Sequence, residues 1–260
     1  MNTRFALAAL ALALPFAASA ADLPKPQALF DAHIKAIGGR AAMEKPNDGT
    51  LIGSMEVVEN GMKADMRLVS LGKDRSMTMT LPNVGEFRGG NKGELYWAMD
   101  PMNGPRLLTG KERDDRAEQN DPKVAMRDAS LIESATTTGL SDSEDRPCYR
   151  VEIVWKNGKK TADCYGVEEK FLLSTESTVV TPMGELKQTS HFHDYTAFGN
   201  VKAAALLRVK AGGMTQVFRI ANYDPATPSA DAVALPPAIQ ALVDKAAQAK
   251  PAANTASSGS

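Results

Sequence analysis

Two histidines two positions apart, His191 and His193, are the residues of this sequence that most suggest chemistry. Residues two apart on a β-strand share a face, and two imidazoles on one face can begin a metal site. Such a site needs a third or fourth ligand, and the neighbouring Asp194 points to the other face. Histidines that are solvent-exposed or hydrogen-bonded explain the pair more simply, so the sequence predicts neither a metal nor a cofactor.

Motifs typical of catalysis do not occur in the sequence, which has no G-x-S-x-G, H-E-x-x-H, C-x-x-C or P-loop pattern. The acidic pair Glu168-Glu169 is typical of a solvated loop. The pair Asp114-Asp115 comes near a predicted helix start, where the helix dipole favours negative charge. His33 lies on a predicted helix as a surface or packing residue. We therefore expect a protein that is not an enzyme.

The first 20 residues have the features of a secretory signal peptide, with Arg4 before an apolar core and Ala18-Ser19-Ala20 as a cleavage site. No cysteine follows that site to carry a lipid anchor, and no later apolar run approaches the roughly 20 residues that span a bilayer. We expect a periplasmic protein with one domain over residues 21–249. The tail over residues 250–260 is rich in Ala, Ser, Asn and Gly and is predicted to be disordered.

The charge of the chain is nearly balanced, with 30 basic and 31 acidic residues. Loss of Arg4 with the signal peptide leaves 29 basic and 31 acidic residues, a formal charge of −2. A nucleic-acid partner normally requires a basic stripe, so none is expected.

Cys148 and Cys164 are the only cysteines, and an even number in an exported chain favours a disulfide bond between them. A two-residue turn at Asn157-Gly158 would place Cys148 opposite residue 167 rather than opposite Cys164. A direct bridge would then require a bulge or a different loop. The spacing alone therefore leaves the bridged and the free state open.

Alternation of apolar and polar residues marks most of the chain as β-strand, and it is clearest from Leu51 to Leu81, where methionine recurs on the apolar side. Asn60-Gly61 and Gly72-Lys73-Asp74 supply the tight turns between its three segments. Further alternating segments continue to Ala221 in sequential hairpins. The sequence predicts a mainly β (α+β) fold, with a large curved antiparallel sheet or unclosed β-barrel of about 10–11 strands.

Helical periodicity is confined to a few segments. One amphipathic helix ends at Ile37 before Gly38-Gly39, and a short turn of helix follows over residues 40–45. The segment from Gly110 to Ile132 is the only long helical insertion between strands, and a last helix runs from Leu235 to Ala247. These helices are too few to cover both faces of the sheet, so part of its apolar face is available either for packing in an ordinary core or for a ligand.

Several short motifs, taken in their order and spacing, resemble the LolA/LolB-like outer-membrane lipoprotein-sorting proteins. They are His33 to Arg40 at the end of the first helix, Gly53 in the first strand, Gly93 to Trp97, Cys148 to Val151, and Asp194-Tyr195 followed by Gly199 and two final strands. The similarity runs from about Pro26 to Val243. It implies an unclosed antiparallel barrel with a helical lid, to which residues 110–132 contribute.

The resemblance also implies a function. Proteins of this family carry acyl chains of lipoproteins or other lipids across the periplasm in an apolar cavity. We therefore expect a monomeric carrier that moves the acyl chains of a lipid or lipoprotein between membranes and meets an inner- or outer-membrane partner protein. The lid-latching arginine of the dedicated lipoprotein carrier matches no position here, so a glycolipid, phospholipid or polyisoprenoid fits equally well.

The cavity wall that the resemblance implies consists of apolar side chains on the strands. They are Met62, Met66, Leu68, Met77, Met79, Leu95, Trp97, Val151, Ile153, Phe171, Leu173 and Phe218. Methionine side chains adapt to varied apolar partners. An acyl chain of about 16 carbons would gain roughly 10 kcal/mol from burial before the costs of immobilisation. The same fold also serves a periplasmic sensor that regulates an anti-sigma factor, so the alternative is an interaction protein that senses envelope lipids or binds a protein partner.

Overall fold

The computed structural model describes residues 23–181 and 184–248 of the chain. The predicted signal peptide and the predicted tail lie outside these ranges. The sequence Pro182-Met183-Gly184 also predicts a turn, and Pro182 and Met183 of it lie outside them too. No helix in the described ranges is long and apolar enough to span a membrane.

The described part of the chain contains thirteen antiparallel strands, which form one sheet. In chain order they are β1 (Gly49–Val57), β2 (Met62–Leu71), β3 (Asp74–Leu81), β4 (Gly85–Lys92), β5 (Leu95–Asp100), β6 (Gly104–Leu107), β7 (Ile132–Ser143), β8 (Arg146–Trp155), β9 (Lys160–Gly166), β10 (Leu172–Thr181), β11 (Gly184–Phe198), β12 (Val201–Ala211) and β13 (Met214–Asp224). The mainly β class predicted from the alternation is confirmed.

The strands are hydrogen-bonded in the order β6-β5-β4-β3-β2-β1-β13-β12-β11-β10-β9-β8-β7. The first six strands run outward from β1 to one edge, and the last seven run back from the other edge to β13, which pairs with β1. The edge strands β6 and β7 do not pair with each other in the described part of the chain, so the sheet is open, as predicted.

The strand count exceeds the predicted 10–11 because β6 and β7 were not recognised in the sequence. β6 has four residues and contains Pro105, and β7 is rich in polar residues such as Thr136 and Thr137. Both are edge strands, which hydrogen-bond on one side only and commonly carry polar residues or proline. The hydrophobic alternation that marks central strands is therefore weak in them.

Within residues 23–181 and 184–248, five α-helices accompany the sheet: α1 (Pro26–Ala36), α2 (Arg40–Met43), α3 (Gly110–Asn120), α4 (Pro122–Ala125) and α5 (Pro237–Gln248). A 3₁₀ helix over Ala230–Val233 precedes α5. The predicted insertion from Gly110 to Ile132 is helical as α3 and α4 and then enters β7. It connects one edge of the sheet to the other.

Register defines the two faces of the sheet. One line of directly paired residues runs across eight strands and holds Met62, Val57, Gln216, Val209, Ser190, Thr175, Asp163 and Val151. We call the face that carries these residues the inner face and the opposite one the outer face. The period of two along each strand assigns the remaining residues, except where bulges shift the phase.

α1 packs on the inner face near β8 and β9. Pro26 occupies its first turn, where the missing N–H costs nothing. Leu29, Phe30, His33 and Ile34 form its buried face, and Gly39 N donates to Ile34 O at 2.8 Å to close the helix. Leu29 and Phe30 form a core cluster with side chains of β8, β9 and β10, namely Val151, Ile153, Trp155, Tyr165 and Leu172.

The outer face of the first meander is covered by the C-terminal segment. The 3₁₀ helix lies against β2 and β3, and α5 lies against β6. Val233 and Ile239 of this segment are buried, as is Val69 on the outer face of β2. We call residues 230–248 the C-terminal strap.

Leu95 and Trp97 lie on this outer face, which corrects their predicted place on the cavity wall. Trp97 pairs with Gly90, Gly90 with Ser76, and Ser76 with the outer-face residue Val69. Trp97 is 2% exposed. Tyr96 on the inner face and Trp97 on the outer face are both buried, so β5 alternates between two buried environments, and hydrophobicity alone could not tell which of its faces is inner.

Phe171 and Leu173 were also predicted on the wall, and a bulge places them elsewhere. The register between β9 and β10 shifts between Leu172 and Ser174. Leu172 joins the core under α1, whereas Leu173 and Phe171 pack against Cys148 and Cys164. The bulge therefore brings two consecutive leucines to different clusters, which a strict period of two does not predict.

Cys148 and Cys164 form a disulfide bond, with their Cα atoms 5.4 Å apart. Trp155 N donates to Lys159 O at 2.9 Å, so the loop between the paired residues of β8 and β9 consists of the three residues 156–158. With this loop, Cys148 pairs with Gly166 and Cys164 pairs with Arg150. The cysteines are diagonal neighbours on the outer face. The two-residue turn considered from the sequence is wrong, and the different loop joins the cysteines without a bulge between β8 and β9.

Candidate ligand-binding site

A cavity of about 1010 Å³ lies between the inner face and the helices α1 to α4. Its apolar lining includes Ile37, Leu172, Phe192, Val201 and Leu207. The helical side contributes residues 43–47 around the end of α2 and residues 117–125 of α3 and α4. The volume is within the range of cavities that hold small-molecule ligands.

Half-buried apolar side chains continue from this cavity along the inner face. We call the following set the apolar wall: Leu51, Met66, Leu68, Met77, Met79 and Phe218. Leu207 lines the cavity and pairs directly with Phe218 of the wall. Met79 and Phe218 also pack against the buried cluster of Met55, Val57, Ala64 and Leu81. The wall therefore borders both the cavity and a closed core.

The twelve residues predicted for the wall fall into four groups. Five of them, Met66, Leu68, Met77, Met79 and Phe218, lie together on the inner face with part of each side chain exposed. Met62 is on the same face at a strand end and is 37% exposed, whereas Val151 and Ile153 are buried beneath α1. Leu95, Trp97, Phe171 and Leu173 pack elsewhere. None of the twelve lines the cavity itself.

A buried ion pair attaches the end of α4 to the inner face. Arg127 Nε donates to Asp163 Oδ2 at 2.7 Å, and the Asp163 side chain is fully buried. Tyr165 and Thr175 donate to the same carboxylate at 2.9 Å each. Burial alone would lower the pKa of Arg127, but the Asp163 carboxylate outweighs it and raises that pKa. Full hydrogen bonding is what makes such a buried charge tolerable.

His33 lies at the cavity, where α1 crosses the sheet. Leu172 N donates to its Nδ1 at 3.1 Å, so this nitrogen acts as an acceptor. Burial, together with the nearby charge of Arg127, lowers the pKa of His33 to about 4. His33 is therefore a neutral packing residue that also satisfies a backbone N–H group, in agreement with its predicted packing role.

The outer-face histidines have protein partners. His191 Nδ1 is 3.1 Å from Ser143 Oγ, and His193 Nε2 is 2.9 Å from a carboxylate oxygen of Glu144. Arg208 and Lys210 also donate to Glu144, each at 2.9 Å. The pair is thus part of a hydrogen-bonded, charged cluster away from the cavity.

Arg127 and Asp163 were not identified from the sequence. Asp163 occupies an inward position of β9 between Ala162 and Cys164. A charged residue inside a mostly apolar strand is the sequence signal from which Asp163 could have been identified. Its partner lies 36 residues away in a loop after α4. Nothing in the local sequence links the two.

No protein-family model matches the sequence, and a comparison with curated proteins finds no match. Among solved structures, a DUF1329 family protein from Desulfovibrio piger is similar, with a TM-score of 0.52, 14% identity, and coverage of 79% of this chain and 95% of that one. A LolA superfamily protein from Nitrosomonas europaea gives a TM-score of 0.50 at 11% identity, with coverage of 82% and 98%. The chain thus has the LolA-like fold that the sequence resemblance predicts.

Proposed function

We propose that this protein is a non-enzymatic periplasmic carrier that binds the acyl chains of a lipid or lipoprotein against the apolar wall and moves them between membranes. The observation that carries the proposal is the row of half-buried apolar side chains on the inner face, contiguous with the 1010 Å³ cavity. Apolar side chains left partly exposed at a cavity gain free energy when a ligand covers them. The LolA-like fold and the signal-peptide features of residues 1–20 support the same function.

The wall suits a ligand of variable shape. Met66, Met77 and Met79 supply three flexible thioether side chains, and Met66 pairs directly with Met79. Unbranched methionine side chains repack at low cost around different apolar groups. A carrier that releases its ligand needs such modest, adaptable contacts rather than a rigid fit.

The proposal is tested by purifying the protein without detergent from a Gram-negative host and recording its native mass spectrum. We expect bound lipid in the wild type. Met66→Glu and Met79→Glu place a charge on the wall and should reduce binding of a fluorescent fatty acid at least about tenfold, because an unpaired charge is costly in an apolar site.

Thr78→Glu is the matched control, since Thr78 lies between Met77 and Met79 on the outer face and the same charge there should leave binding unchanged. Equal binding by all three variants would contradict the wall as the site. A lipid-free mass with a tightly held protein partner would instead favour a regulatory interaction protein.

A further inference from the structure

The inner face changes from apolar to basic along a single strand. Arg75, Met77 and Met79 succeed one another at every second position of β3, so all three point inward. A strand rises about 3.3 Å per residue, which places Arg75 about 7 Å from Met77 and about 13 Å from Met79 along the strand. Arg75 also lines the cavity, whereas the methionines belong to the apolar wall. Cavity and wall therefore meet at this residue.

Hydrogen bonds hold the Arg75 side chain in one orientation and leave two of its guanidinium nitrogens without a hydrogen-bond acceptor in the described part of the chain. Its Nη1 donates to Gly72 O and Asp74 O, each at 3.1 Å. Neither Nε nor Nη2 has a hydrogen-bond partner among the described residues. These two nitrogens form the side of the guanidinium group that binds two oxygens of a phosphate or carboxylate at once. The residue is half-buried, so its charge is less screened than that of a surface arginine.

The loop beside Arg75 is fixed by buried polar contacts. Asn91, which is 3% exposed, donates through Nδ2 to Lys73 O at 2.9 Å and to Gly93 O at 3.0 Å. Asp74 Oδ1 accepts from Gly93 N at 2.8 Å. The β2–β3 and β4–β5 loops are therefore joined, and they present Lys73 and Arg75 to the cavity in a defined geometry.

The lining of the cavity has an excess of positive charge. Lys45, Lys73, Arg75 and Lys202 line it, and none of them has a carboxylate within 4.0 Å in the described ranges.

The other charged groups of the lining reduce this excess but do not cancel it. Arg127 is neutralised by Asp163, and Glu94 is paired with Arg113 at 3.0 Å. Glu44 and Asp121 remain as the acidic members, which leaves an excess of two positive charges. The carboxylates of Asp48 and Asp74, which are not in the lining, also act on Arg75. An excess of one sign of charge in the lining favours a ligand of the other sign.

We propose that the ligand is an amphiphile with a phosphate headgroup, whose phosphate binds Nε and Nη2 of Arg75 in the cavity while its acyl chain lies on the apolar wall. This inference rests on the proposed carrier function and adds the chemical class of the headgroup. From Arg75 to Met79 the inner face of β3 extends about 13 Å, and the wall residues of β1, β2 and β13 continue this apolar surface for the acyl chain.

Three soluble probes test the headgroup site in isothermal titrations: palmitoyl lysophosphatidic acid, monopalmitoylglycerol with the same chain but no phosphate, and glycerol 3-phosphate with no chain. We expect the wild type to bind the lysophosphatidic acid at least about tenfold more tightly than the monoacylglycerol. Arg75→Gln should abolish this preference and change monoacylglycerol affinity less than about twofold. Arg67→Gln, the same change on the outer face of the neighbouring strand, should retain the preference.

A second variant covers the case in which Arg75→Gln fails to fold. Lys73→Gln combined with Lys202→Gln removes two exposed positive charges of the cavity lining and should reduce the preference for lysophosphatidic acid about two- to threefold. Equal wild-type affinity for the two palmitoyl probes would overturn the headgroup site and leave the carrier function standing. Failure of both probes to bind would overturn both proposals. Glycerol 3-phosphate binding as tightly as the lysophosphatidic acid would identify a site for a free phosphate ester and overturn the amphiphile.

Discussion

The imidazole of His33 is kept neutral by its position between α1 and the sheet, and this makes the stability of the protein depend on pH. The unfolded chain takes up a proton on this side chain near pH 6.5, whereas the folded protein does so only at about pH 4. Between these values protonation favours the unfolded chain. The contribution of His33 to stability is therefore complete above pH 6.5 and decreases as the pH falls to 4.

We expect the free energy of unfolding to fall by up to about 3 kcal/mol over this interval because of His33 alone. His33→Asn keeps an acceptor for Leu172 N but does not titrate, so its stability should decrease much less between pH 6.5 and pH 4. Urea unfolding followed by circular dichroism at several pH values measures the difference. Parallel pH profiles for wild type and variant would contradict the assignment.

Individual side chains were the least predictable part of the molecule. Met66 and Met79 were placed correctly on the inner face because a period of two and tight turns fix the register of a hairpin. Trp97 was not, because both faces of β5 are buried. Arg127 and Asp163 interact only through the tertiary fold, which no local pattern contains. Whether the methionines contact a lipid stays a prediction.

At the scale of elements, Gly53 shows how closely β1 and β13 approach. The register between them shifts at Ile52 and Gly53, and a Cβ atom at position 53 would collide with the backbone carbonyl of Arg219. A backbone atom cannot move aside as the end of a flexible side chain can. Glycine is therefore required here for space rather than for a left-handed conformation.

Gly53→Ala should destabilise the protein by about 2 kcal/mol or more, because the strands must separate to admit the methyl group. Gly89→Ala is the matched control, since Gly89 is also an inner-face strand glycine and a Cβ there meets only Trp97 O at 3.4 Å. That substitution should change stability by less than about 1 kcal/mol. Thermal unfolding of both variants checks the prediction, and equal shifts would refute it.

Most elements were predictable because local chemistry specifies them. Gly38-Gly39 ends α1, and the glycine-containing turns at Asn60-Gly61 and Gly72-Lys73-Asp74 separate neighbouring strands, as expected. The strand predictions were wrong where the alternation of apolar and polar residues is weak or changes phase. Edge strands β6 and β7 have little alternation, and the bulge at Leu172 to Ser174 changes which residues point inward.

At the scale of the whole molecule, the C-terminal strap protects part of the open sheet, because α5 lies against the edge strand β6. Ile239 of α5 is completely buried. Ile239→Asp should detach the strap, uncover β6 and Trp97, and cost at least about 3 kcal/mol, since it buries an unpaired charge or exposes the apolar surface.

The result of detachment should be self-association through the uncovered edge, measured by sedimentation velocity. Ala241→Asp, on an exposed position of the same helix, is the control and should remain as monodisperse as the wild type. A monomeric Ile239→Asp variant of unchanged stability would show that the strap is dispensable.

The topology also explains why α3 and α4 cover the inner face. β6 ends at one edge of the sheet and β7 begins at the other, so the connecting residues 108–131 must cross the whole sheet. The sequence predicted a helical insertion at this place, but its crossing path follows only from the strand order. A cover over the cavity is thus a consequence of connectivity, and the Arg127–Asp163 pair fixes its end.

The pairing of β1 with β13 has a further consequence for how the chain reaches this structure. Strands β1 to β6 can pair with their sequence neighbours alone, but β1 keeps one open edge until residues 214–224 pair with it. This pairing joins segments that are far apart in the sequence, and such non-local contacts slow folding. Until it forms, the unpaired backbone of β1 is a template for foreign strands, so this edge is the place where the folding chain is most open to aggregation.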